Sequence, residues 1–98
     1  MPDIQTRGSV QLTADGAVGT SGSPVRIFNM HIVSGGSGAA IVSLYNNTSA
    51  TGTAYIKETG TVSTGKTFDY GNGGHVFPSG CFVDVDTNTT SVLISYAL

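Results

Sequence analysis

Turn-forming residues interrupt this chain about every eight to twelve positions, the spacing of short strands folded into a sandwich or barrel. The main breaks are Gly35-Gly36-Ser37-Gly38, Asn46-Asn47-Thr48-Ser49, Gly60, Gly65, Gly71-Asn72-Gly73-Gly74 and Phe77-Pro78-Ser79-Gly80. No window between them sustains an apolar stripe at helical spacing. The material between the breaks is β-branched instead, with thirteen Thr, ten Val and six Ile. Such side chains are stiff at χ1 and suit a pleated, half-buried surface. Good helix formers are scarce, with one Glu, two Lys, two Arg, two Gln, two Met, four Leu and seven Ala.

The strands can be placed from the alternation. A first strand is expected over Ile4–Leu12, with Val10 and Leu12 on one face, then a Gly-rich loop from Asp15 to Ser23 holding a short strand at Ala17–Thr20. Arg26–Ser34 carries the clearest period of two: Phe28, Met30 and Ile32 face one way, Asn29 and His31 the other. One side is therefore buried and one wet. Gly35–Gly38 reads as a hairpin-type connection whose glycines are free to take positive φ. Further strands are expected at Ala39–Tyr45, Thr53–Thr59, Lys66–Tyr70, Cys81–Asp86 and Thr90–Tyr96, with Phe77–Gly80 as a type I turn. The expectation is one domain over residues 1–98: an antiparallel β-sandwich of seven to eight short strands, jelly-roll-like.

Charge narrows the partners. Charged residues are 10% of the chain, against about 25% in an ordinary soluble domain. Arg7, Arg26, Lys57 and Lys66 are the only basic residues and are spread along the sequence. Nucleic-acid backbone binding needs them clustered, so it is not expected. No stretch approaches the ~20 apolar residues of a membrane span. The start, Met-Pro-Asp-Ile-Gln-Thr-Arg, lacks the apolar run of a secretory leader, and the single Cys81 leaves no internal disulfide. Production in a cytoplasm is the expectation, and Asn46, Asn47 and Asn88 are read as turn residues rather than glycosylation sites. Low net charge, −2, leaves little self-repulsion between identical copies.

Asp84-Val85-Asp86-Thr87-Asn88 resembles the opening of a calcium loop, but Thr89 and Ser95 stand where that loop needs Gly and Glu. Asp84, Asp86 and Asn88, with Asp69 as a helper, are the candidates for a looser calcium site. The bland alternative puts the two aspartates on an outward strand face and Asn88 in the turn. His31, His75 and Cys81 are the soft metal ligands, and their spacing fits no zinc pattern. The eleven serines include no nucleophile elbow, and no glycine cluster leads into a helix and Lys as a phosphate cradle does. Neither an enzyme nor a cofactor is expected.

The segments Lys66-Thr67-Phe68-Asp69-Tyr70, Gly73-Gly74-His75-Val76-Phe77-Pro78-Ser79-Gly80, Cys81-Phe82-Val83-Asp84-Val85-Asp86 and Ser91-Val92-Leu93-Ile94-Ser95-Tyr96 resemble small virion proteins of tailed bacteriophages. In these an aromatic strand leads through a Gly-rich turn and Phe-Pro-x-Gly into a Val-rich acidic strand. The resemblance covers a third to a half of the chain. It implies a capsid decoration or cement protein that binds the major capsid protein or other virion proteins. It also implies location in the virion after synthesis in the host cytoplasm, and self-association, with a trimer expected. The alternative is a phage fibre, tail-associated or receptor- and glycan-binding module, which would show exposed aromatics near Gly71–Gly74 and Pro78–Gly80. A hydrolase would need His31 or His75 in a pocket beside an acid.

Overall fold

The computed structural model describes residues 7–98, which form nine strands and no helix. They are β1 Arg7–Leu12, β2 Gly16–Val18, β3 Val25–Ser34, β4 Ile41–Asn46, β5 Ile56–Thr59, β6 Gly65–Asp69, β7 His75–Phe77, β8 Cys81–Val85 and β9 Thr89–Ala97. Residues 4–6 of the expected first strand lie outside the described residues.

Two antiparallel sheets share these strands. The first has the order β1-β9-β3-β6, with β7 also paired to β3; the second has the order β2-β8-β4-β5. Consecutive strands mostly alternate between the sheets, and β4–β5 is the one pairing of sequence neighbours. This interleaving is jelly-roll topology, in which chain reversals join opposite layers instead of making local hairpins. The fold class read from the sequence is therefore correct.

The core lies between the layers. Ile27, Met30 and Ile32 of β3, Val92 and Ile94 of β9, Val42 and Leu44 of β4 and Val83 of β8 are fully buried. Each strand supplies every second residue, as the pleat dictates. Strand β3 departs from simple alternation at one point. Its register against β9 steps from Ile27↔Tyr96 to Asn29↔Ser95, so Phe28 is the extra residue of a β-bulge. The bulge turns Ile27 into the same cluster as Met30 and Ile32, whereas simple alternation assigned that face to Phe28. Phe28 is buried, but outside the central cluster.

Two turn expectations and one strand expectation need correction. Gly35–Gly38 does not close a hairpin, because β3 and β4 belong to different sheets, and none of its glycines has a positive φ. The crossover is held by Ser34, whose buried hydroxyl accepts the Ala40 amide at 3.0 Å, and by the Gly35 amide on the Asn88 carbonyl at 2.8 Å. Gly71–Gly74 does not reverse the chain either. Strands β6 and β7 both run antiparallel to β3, on Asn29–Val33 and Val25–Ile27 respectively. The glycine segment is thus an insert in an interrupted edge strand, and its second half, β7, was not expected from sequence. Thr53–Tyr55 is not strand, and β5 begins at Ile56. Phe77–Gly80 does turn, with the Gly80 amide on the Phe77 carbonyl at 3.2 Å and φ of 100° at Gly80.

Candidate functional site

The calcium candidates end up divided between two jobs. Alternation along β8 buries Cys81 and Val83 and turns Phe82 and Asp84 to the outer face of the second sheet. Asp84 lies beside Asp15 there, and Asp15 Oδ1 also accepts the Val85 amide at 2.8 Å. Asp86 instead serves the β8–β9 turn, its Oδ1 accepting the Asn88 amide at 3.2 Å and the Thr89 hydroxyl at 2.9 Å. The Asn88 side chain donates to the Ala39 carbonyl at 3.4 Å. Asp69 is on β6 in the other sheet, where Oδ1 accepts the Gly71 amide at 2.8 Å. Among the described residues no group of three or more His, Cys, Asp or Glu is placed to hold a metal ion.

The carboxyl of Asp84 is held above the usual carboxylate range. Partial burial is the first cause, followed by the charge of Asp15, a hydrogen bond to Asp15 and the charge of Asp86. Each favours the neutral form.

The soft ligands do not meet. His31 lies on the outer face of the first sheet, its Nδ1 2.7 Å from the Thr67 hydroxyl. Cys81 is 2% exposed in the core, and burial pushes its thiol up to about 12. His75 sits at the edge of the sandwich with its ring centroid 5.7 Å from Tyr55 and 5.1 Å from Phe77.

That edge is where β5 of one sheet approaches β6 and β7 of the other. The Tyr70 hydroxyl donates to Glu58 Oε2 at 2.9 Å and ties the layers together, and burial first, then Glu58, drives the phenol well above its ordinary range. Tyr55 is 49% exposed. Its hydroxyl accepts from Asn46 Nδ2 at 3.0 Å, and Asn46 Oδ1 accepts the Ser79 amide at 2.7 Å. An exposed aromatic next to the Pro78–Gly80 turn was not visible in the sequence. Tyr55, Asn46 and Ser79 meet only through the β4–β8 register and the turn after β7.

The two outer faces differ. On the first sheet, rows run Gln11, Leu93, His31, Thr67 and Ser9, Ser95, Asn29, Asp69 across β1, β9, β3 and β6. This surface consists of short polar groups around one exposed Leu93, at 46%. On the second sheet the rows are Ala17, Phe82, Tyr45 and Asp84, Ser43, Lys57. Here aromatic side chains lie beside opposite charges.

The class that these observations define is a jelly-roll β-sandwich with two open sheet faces. No family model matches the chain, and no curated protein matches it. Among solved structures, the fold is similar to that of a chain from the disulfide-linked pili that form Bacillus endospore appendages. The TM-score is 0.51 at 13% identity, over 96% of this chain and 83% of that one. At that identity the likeness is one of fold.

Proposed function

We propose that this chain is a structural subunit that works by packing in many copies against other proteins, as a decoration or cement protein on the capsid of a tailed bacteriophage. The observation that carries the reading is the pair of open sheet faces built on a buried apolar core. In its two outward rows the face of the first sheet carries one charge, Asp69, with Ser9, Gln11, Asn29, His31, Ser95 and Thr67 around Leu93. Short polar side chains on a rigid sheet lose little entropy on contact and suit wide, wet protein interfaces. The capsid location follows the resemblance of the C-terminal third. A fold shared with a pilus chain is in keeping with multi-copy assembly in general. The disulfide linkage of those pili does not carry over through Cys81, which is buried with its thiol pushed up to about 12.

The exposed Tyr55, with His75 and Asn46 around it, favours a second reading as a fibre-borne, receptor- or glycan-binding module. Density-gradient purification of phage particles with quantitative mass spectrometry of the particle band separates the two. Hundreds of copies per particle are expected for a lattice-wide decoration protein, and a handful would indicate a fibre or tail fitting. Absence from the band would overturn both.

A further inference from the structure

Strand β4 runs along the middle of the second sheet's outer face, with a carboxylate on one side and an ammonium on the other. Ser43 is paired to Asp84 of β8 and to Lys57 of β5 in the same row. The two side chains are therefore about 10 Å apart at the Cα atoms, two strand spacings, and Asp84 is hydrogen-bonded to Asp15 rather than to Lys57. Along β4 itself the outward positions are Ile41, 37% exposed, then small Ser43, 7% exposed, then Tyr45.

We infer that the outer face of the second sheet binds a second copy of this chain about a two-fold axis lying along β4, with Lys57 of each copy against Asp84 of the other. Rotation about such an axis exchanges the β5 and β8 sides. The lysine side of one copy then covers the acidic side of its mate, while Ile41 and Tyr45, on the axis, meet their own equivalents. A two-fold contact requires a patch that is complementary to itself, and this arrangement of opposite charges about a central apolar line meets that requirement. A different partner would have to supply both signs in the mirrored order, which a copy of the chain already does.

The face is small. Four strands at about 4.8 Å spacing and six residues of β4 at about 3.4 Å cover roughly 19 by 20 Å. A standard interface takes about 800 Å² from each partner. The pair is accordingly weak and concentration-dependent, suited to copies held close together on an assembly. The inference does not depend on the capsid reading, since it concerns the free protein in solution.

Sedimentation velocity over a concentration series tests it on the whole chain. The expected result is a monomer–dimer equilibrium. Lys57→Glu or Asp84→Lys should raise its dissociation constant about tenfold or more, since each loses two symmetry-related pairs and gains repulsion. The double variant, with the charges exchanged, should return to near the starting value. Ile41→Arg, which sets two cations against each other on the axis, should also dissociate the dimer. Circular dichroism of each variant confirms that the fold is retained. A monomer at every concentration, a dimer or trimer indifferent to Lys57→Glu and Ile41→Arg, or no rescue in the double variant would each overturn the inference.

Discussion

Asp84 is the residue whose surroundings most disfavour its charged form: partial burial first, then Asp15 and Asp86. Its folded pKa lies above the unfolded value, so the folded state binds the proton more tightly. The stabilisation this brings is fully present below the unfolded pKa and is lost as pH rises through the folded one. The expected outcome is a melting temperature that rises as pH falls from neutral into the carboxylate range. Asp84→Asn should raise the melting temperature at pH 7 and flatten that rise. Equal slopes in thermal melts of the two proteins would show that Asp84 is not the group responsible. At this scale the sequence was half legible. Asp84 stood out as an outward acid and Asn88 as a turn residue, as the structure has them, whereas Asp86 lies past the end of β8 and its carboxylate serves the turn instead of an outward strand face. Asp15 did not, because it reaches Asp84 only through the pairing of β2 with β8, 70 residues apart at Asp15 and Val85.

Among the elements, the interrupted edge strand is the one the sequence described least well. Gly71-Asn72-Gly73-Gly74 has the composition of a reversal, yet β6 and β7 continue in one direction along β3. The physical requirement is closeness. At Gly74, with φ of 67°, an added Cβ would lie 2.8 Å from the Ile27 carbonyl oxygen and 3.1 Å from Phe28 Cδ1. Gly73, next to it, has no heavy atom within 4 Å of such a Cβ and no positive φ. Gly74→Ala is therefore expected to cost about 1–3 kcal/mol, while Gly73→Ala is expected to be nearly neutral. Urea unfolding midpoints of the pair provide the check, and equal shifts would mean that the insert tolerates a side chain at Gly74. The Phe28 bulge has a related origin. Alternation alone assigns one face to Phe28, Met30 and Ile32, and only pairing against β9 shows the extra residue.

At the scale of the whole molecule, almost every strand pairing joins distant parts of the chain. Strands β1 and β9 meet with Arg7 opposite Ala97, and β2 meets β8, while β4–β5 is the single local pair. Long loops must close before most contacts form, so folding is expected on the millisecond-to-second scale typical of high-contact-order β proteins. Stopped-flow refolding measures it directly, and completion within microseconds would contradict the topology. The sequence by itself determined the class. Period-two alternation, β-branched composition and regular turn residues leave a layered β-structure with inward Val, Ile and Leu as the way to bury the apolar groups. It also marked most strands to within a few residues, because alternation and turn chemistry are local. The tertiary structure alone decided which strands are neighbours, since the apolar period says which side faces inward but not which strand lies alongside. From that pairing come the sheet-to-sheet crossover at Gly35–Gly38, the Tyr55–His75 edge and the row that sets Lys57 and Asp84 on either side of Ser43.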